Sequence, residues 1–227
     1  MLRDSWCRPL IFQRSRLWSC MRQARVGIFL PSDRSNYRLC REEIKRVAPK
    51  QLYLGDRICW SNIVVLETAA KYCDVVSVNL YEYRASNIHF EGYRFDHINK
   101  PLLISEYSFG CSDRGHGLAN LTRVTSQEAR ATGLRRFLGE ILVDPRFVGA
   151  HYFMYVDEPV TGRTSDGENA QFGIVDITDR PYPELVAACR EMGSAIYGIR
   201  AAVGSGSRRK ASGIDAGNSR AECRTLY

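Results

Sequence analysis

The chain has 227 residues, 44% hydrophobic and 25% charged, with a formal charge of +7, the balance of one globular domain with a sizeable core or of two small ones. The charge sits at the ends: residues 1–30 hold six arginines against Asp4, residues 201–227 hold five basic residues against Asp215 and Glu222, and the middle is close to neutral. That distribution excludes a basic groove built into the fold, and the absence of helix-turn-helix, zinc-finger or aromatic RNA-binding signatures argues against a nucleic-acid partner.

Residues 1–30 mix arginine, tryptophan and cysteine with no sustained period, and are expected to form a poorly determined basic lead-in. Tyr37, Cys40, Ile44 and Val47 then lie at helical spacing, and Pro49 closes the helix. Residues 51–54 before Gly55 predict a strand, 63–72 a short helix, and 74–81, rich in β-branched residues, a strong strand. A connection of about twenty residues follows, long by the usual prior. The run Pro101-Leu102-Leu103-Ile104 is apolar, and Glu106 follows almost at once. Such a run reads as a buried strand of a parallel sheet, with the glutamate where the strand ends.

Thr125 and Glu128 form a capping box for a helix whose apolar stripe is Leu134, Phe137, Leu138, Ile141 and Leu142. Residues 147–155 predict a fourth strand. Tyr182, Leu185, Val186, Cys189 and Met192 make the face of a last helix running towards Arg200. The Gly-, Ser- and Arg-rich stretch 201–227 is expected to be a disordered tail. Eight cysteines are scattered with no C-x-x-C pair, which reads as buried free thiols rather than a zinc site or a disulfide framework. No apolar run reaches membrane-spanning length, so no membrane partner is expected.

Strands and helices alternate, which implies an α/β fold with a parallel sheet and crossover helices. Four strands are visible where a closed (β/α)8 barrel has eight, so the core, 31–200, is either a small open sheet or part of a barrel. In barrels the carboxyl ends of the strands carry the chemistry. That makes Glu106 a candidate catalytic carboxylate. Its bland alternative is a turn cap, or an ion pair with an arginine such as Arg114.

Five phrases in order carry a resemblance: Gln51-Leu52-Tyr53-Leu54-Gly55-Asp56-Arg57, Asp74 to Tyr81, Leu102 to Tyr107, Gly149-Ala150-His151-Tyr152-Phe153, and Asp166-Gly167-Glu168-Asn169-Ala170-Gln171-Phe172-Gly173-Ile174-Val175-Asp176. With them, about 36–200 resembles the C-terminal half of retaining (β/α)8 glycoside hydrolases, nearest in likeness to bacterial β-agarase-like proteins. The resemblance implies a partial (β/α)8 TIM barrel comprising about the last four β/α units. It makes Glu106 the nucleophile on the seventh strand, with Asn79 and Tyr81 beside it and His151 and Tyr152 lining a sugar pocket.

Tyr83, Phe109 and Tyr155 would add flat faces for a sugar ring. Asn79 and Tyr81, two residues apart, face the same side of their strand, although strand-end residues of this kind also serve merely to pack. Asp157 and Glu158 read as solvated or turn-forming. The implied partner is a carbohydrate. Two-carboxylate chemistry needs no metal or cofactor. Such enzymes place the acid/base glutamate on the fourth strand, after an asparagine. No Asn-Glu pair occurs in the chain, so the expectation is a truncated hydrolase lacking its acid/base, or a non-catalytic carbohydrate-binding remnant. Proteins of this kind are usually exported, and no signal peptide is recognisable in the chain.

Overall fold

A computed structural model describes residues 30–59, 63–90, 93–95, 98–115 and 121–211, with backbone alone at 30–34, 89–90, 93–94 and 205–211. The expected lead-in falls almost wholly outside the described residues. Helix α1, Leu30–Val47, anchors through the buried Tyr37 and ends ahead of Pro49. Val47, assigned by spacing to the buried face, is exposed. Towards its end α1 holds the chain through charge instead: Arg41 and Lys45 pair with Asp74 at 2.9 and 2.8 Å.

The strand expected at 51–54 does not form. Asp74 explains why: its carboxylate takes the Tyr53 N–H at 2.8 Å, and its own N–H bonds the Tyr53 carbonyl. The chain then turns at Gly55, whose φ of +67° and close approach to Cys73 and Tyr37 leave no room for a Cβ. Sheet pairing begins only at Ile58, which forms a parallel bridge with Val78.

Helix α2, Ile63–Tyr72, leads into β1, Val76–Asn79. The long connection that follows contains a 3-10 turn at Ala85–Asn87 and a small antiparallel pair, β2 His89–Phe90 and β3 Tyr93–Arg94. Strand β4, Leu102–Tyr107, lies between β1 and β5, Phe147–Tyr152, all parallel. Helix α3, Gln127–Val143, crosses from β4 to β5, and α4, Pro183–Ala211, follows. Helix α3 starts one residue later than predicted: Ser126, not Thr125, caps it, accepting the Ala129 N–H at 3.1 Å. Helix α4 continues through Ala211 where a tail was expected from Ala201. Ala201 and Ala202 favour the helix, and Arg200 bonds the Leu142 and Asp144 carbonyls at the end of α3.

Alternation along β1 and β4 sends Val76, Val78, Leu102 and Ile104 to one face, where they meet Leu66 and Ala69 of α2 and Phe137 and Ile141 of α3. Tyr107 stacks on Phe137 with centroids 4.5 Å apart and meets Tyr152 edge-on at 5.3 Å. A second cluster joins α3 to α4 through Ala131, Leu134, Leu142, Tyr182, Leu185 and Met192. Each large apolar side chain so buried contributes about 1.5–3 kcal/mol. None of the five described cysteines is in a disulfide, and burial pushes the Cys73 and Cys111 thiols up to about 12.

A guanidinium sits where these clusters meet. Arg130 is completely buried. It donates to the Phe109 carbonyl at 2.8 Å, the Gln127 side chain at 2.7 Å, the Gly173 carbonyl at 2.6 Å and the Tyr152 hydroxyl at 3.2 Å. Its flat face lies 5.1 Å from the centre of the Tyr182 ring. Asp157 closes the arrangement by accepting from Gly173 N–H and from the Tyr182 hydroxyl. Asp157 and Glu158, expected to be solvated or turn-forming, are buried. Glu158 accepts the Ala170 N–H at 2.8 Å and pairs with Arg163 at 3.0 Å. Both are structural carboxylates, holding the segment after β5 against the core.

Two outcomes are expected. Arg130→Leu leaves the Gln127 side-chain oxygen and the Gly173 carbonyl buried without a donor and should cost about 3–5 kcal/mol in urea unfolding. Asp74 is held well below the usual carboxylate range by hydrogen bonds from Lys45, the Tyr53 N–H and Arg41. A depressed folded value gives stability that is present above the unfolded value and lost as pH falls. Unfolding midpoints measured downward from about pH 4 should fall more steeply for the unaltered chain than for Asp74→Asn.

Candidate active site

Glu106 is the fifth residue of β4, with its neighbours decided by the sheet. Asn79, the last residue of β1, lies directly across from it, after a register shift between Val78 and Asn79. The Leu80 N–H bonds the Glu106 carbonyl at 2.8 Å and carries the chain past the strand end. Tyr81 thereby returns to the same side as Asn79.

Both side chains meet one oxygen of Glu106. The Asn79 amide donates to Oε2, and the Tyr81 hydroxyl donates to the same atom at 2.8 Å. Asn79 is itself oriented, because its Oδ1 accepts from the Ser105 hydroxyl at 2.9 Å. The Tyr81 phenol is pushed far up, first by burial and then by the nearby Cys59 and Glu168, against the opposing pull of Arg57 and Arg163. It therefore remains a donor throughout the ordinary pH range. The other oxygen, Oε1, is in ion contact with Arg57. Glu106 itself is only 7% exposed.

Donors on both oxygens stabilise a carboxylate in its charged form. A carboxylate that is ionised, oriented and set at the carboxyl end of a parallel strand can attack an electrophilic carbon or take up a proton. Within electrostatic reach of the Tyr81 hydroxyl, Arg163 is surrounded by Glu158, Asp166 and Glu168, the last two at 2.7 and 2.5 Å. Burial raises the Glu158 carboxyl, and its neighbour Glu168 adds to the effect.

The structure brings Glu106, Asn79 and Tyr81 together. It does not bring Tyr152 to them. The Tyr152 ring packs in the helix-side core, and its hydroxyl bonds the Phe109 carbonyl and Arg130. His151, one residue earlier, lies on the opposite side of β5 and is exposed. Of the three aromatic residues expected to offer flat faces, Tyr83 and Tyr155 are exposed, whereas Phe109 is buried edge-on against Tyr107 and Phe137. Arg114 pairs with Glu184 and not with Glu106.

Arg57 and Ser105 are the site residues that pattern reasoning did not single out. Arg57 stands in one of the resembling phrases, but nothing local in the sequence ties it to Glu106, 49 positions on. Among the described residues no group of three or more His, Cys, Asp or Glu side chains is placed to hold a metal ion. No helix among them is long and apolar enough to cross a membrane.

No protein-family model matches the chain. Curated proteins do. Beta-agarase B from Vibrio sp. (strain JT0107) is 35% identical over 191 residues, covering 82% of this chain and 20% of its own length. Beta-agarase A from the same strain is 36% identical over 160 residues, covering 68% of this chain and 16% of its own length. The chain thus spans about a fifth or less of these relatives. Among solved structures, an agarase, AgWH50C, superposes with a TM-score of 0.69 at 38% identity, over 74% of this chain and 24% of that one. An exo-beta-agarase does so with the same TM-score at 35% identity, over 74% and 23%. In sequence and in fold alike, the chain is similar to a segment of the β-agarase-like glycoside hydrolases.

Proposed function

We propose that this chain carries the nucleophile half of a retaining, polysaccharide-directed glycoside hydrolase site, with an agar-like polysaccharide as substrate. The observation that carries the reading is the Asn79–Tyr81–Glu106 cluster at the carboxyl ends of adjacent parallel strands. Similarity to the agarases supports the substrate class. In this reading the Ile58 segment, β1, β4 and β5 are the fifth to eighth strands of a (β/α)8 barrel, within a unit covering 31–200.

Glu106 would attack the anomeric carbon through one oxygen. The glycosidic bond breaks as the carbon–carboxylate bond forms, and the leaving oxygen needs a proton from a second carboxyl about 5–5.5 Å away. Asn79 and Tyr81 hold the other oxygen of Glu106, so that its charge and direction are set before the sugar arrives. Exposed His151 and Tyr155 would contact the sugar. The described partners of Glu106 are Asn79, Tyr81 and Arg57, and none is a second carboxyl. A non-catalytic carbohydrate-binding role is the alternative favoured by that observation.

The two readings separate on a substrate that needs no acid. A dinitrophenyl glycoside of an agar oligosaccharide has a leaving group stable without protonation. The unaltered chain should release dinitrophenolate and gain the mass of the oligosaccharyl group on Glu106. Glu106→Gln should lower that rate on the order of 10³-fold or more. Equal release by both proteins would remove Glu106 from the chemistry. Saccharide binding measured by calorimetry, with no release from either, would favour the binding role. Tyr81→Phe should keep the fold and slow release roughly 10- to 100-fold, because the phenol is lost as a donor to Glu106. Circular dichroism and the same release assay check both parts.

A further inference from the structure

The two oxygens of Glu106 are held in different ways. Oε2 is held from within the strand ends by Asn79 and Tyr81, whose amide and hydroxyl are themselves fixed or buried. Oε1 is the oxygen that this cradle leaves over. It is met instead by Arg57, a side chain 59% exposed, reaching in from the segment between the Gly55 turn and the Ile58 bridge. The two ends of that contact are unequal: the carboxylate is 9% exposed, and the guanidinium is largely in water.

We propose that Arg57 is a displaceable cap on the attacking oxygen of Glu106. A lone pair on Oε1 is what the nucleophile would present to a sugar, since both donors within the strands are committed to Oε2. A guanidinium bonded to that oxygen withholds the lone pair. The guanidinium end of the pair is open to water and counter-ions, so an arriving ligand can take its place on the oxygen and send Arg57 aside into solvent. Asn79 and Tyr81 stay in place when it does. The other charged or titratable groups near the Tyr81 hydroxyl are Cys59, Glu168 and Arg163. Arg163 is already committed to Glu158, Asp166 and Glu168, and among the described residues Arg57 is the basic side chain that reaches Oε1. Arg57 is thus a positioning residue, acting through Glu106.

The inference rests on reading Glu106 as a nucleophile, but its test does not need a sugar. A small aryl epoxide alkylates carboxylates: the carboxylate oxygen bonds the epoxide carbon, the ring C–O bond breaks, and the alkoxide takes a proton from water. Labelling at Glu106 is followed by peptide mass mapping. Arg57→Ala should label roughly fivefold faster than the unaltered chain, and Arg57→Lys, which keeps the charge, should fall between them. Raising the salt concentration should accelerate labelling of the unaltered chain and leave Arg57→Ala unchanged, a response that a purely structural role would not produce.

Circular dichroism confirms that the variants fold, and Arg57→Gln serves in place of Arg57→Ala if the latter does not. Equal labelling in all variants with no salt response overturns the cap. So does slower labelling in Arg57→Ala, which would make Arg57 an activator. Absence of glycosyl transfer alongside the predicted labelling pattern removes the hydrolase reading and leaves the cap standing.

Discussion

The fold converges on one buried guanidinium. Arg130, on α3, bonds backbone carbonyls that belong to two different elements: Phe109, just beyond β4, and Gly173, in the segment after β5. It also reaches Tyr152 on β5 and lies against Tyr182 at the start of α4. A charge taken fully out of water is tolerated only where every donor is matched. Here the matching groups are the strand exits themselves. Their positions are therefore tied to one another. Gly173 shows how tight this is, since its carbonyl serves Arg130 and its N–H serves Asp157, while a Cβ there would stand 2.3 Å from the Asp157 nitrogen.

Glu106 depends on that arrangement at one remove. It lies three residues before Phe109, on a strand whose outward face is fixed by the stacking of Tyr107 on Phe137. The strand is irregular between Ile104 and Tyr107, so Tyr107 joins Ile104 on the helix side and Glu106 has the opposite side, where Asn79 and Tyr81 wait. The core thus sets the direction of the carboxylate, and the strand ends supply its donors. Arg57 enters from outside this rigid set. A preorganised oxygen and a loosely guarded one coexist on the same group.

Much of the fold was legible locally. The apolar run at Leu102 to Ile104, the stripe from Leu134 to Leu142 and the β-branched run before Asn79 each report the face that their element buries. The carboxylate at the end of its strand was legible for the same reason, and so was the pairing of Asn79 with Tyr81 on one side. Misreadings arose where a distant side chain overrode the local pattern. Tyr53 was drawn away from strand pairing by Asp74, 21 residues on. Asp157 and Glu158 look like surface carboxylates until Tyr182, Gly173, Ala170 and Arg163 are placed around them. Tyr152 follows His151 in a phrase that resembles a pocket wall, yet alternation sends the two to opposite sides.

By itself the sequence determined the helices, the three strands of the sheet and their alternation, the parallel character of the sheet and the presence of a carboxylate at a strand's carboxyl end. Periodicity is a property of neighbours in the chain, and these features need only neighbours. Which donors reach each oxygen of Glu106, and that Arg130 sits dry among four acceptors, were decided only by the tertiary structure. Apart from the bond of Arg130 to Gln127 on its own helix, those contacts join residues 20 to 50 positions apart. No local pattern encodes them, because each arises when separately folded elements are packed and their polar groups must find partners away from water.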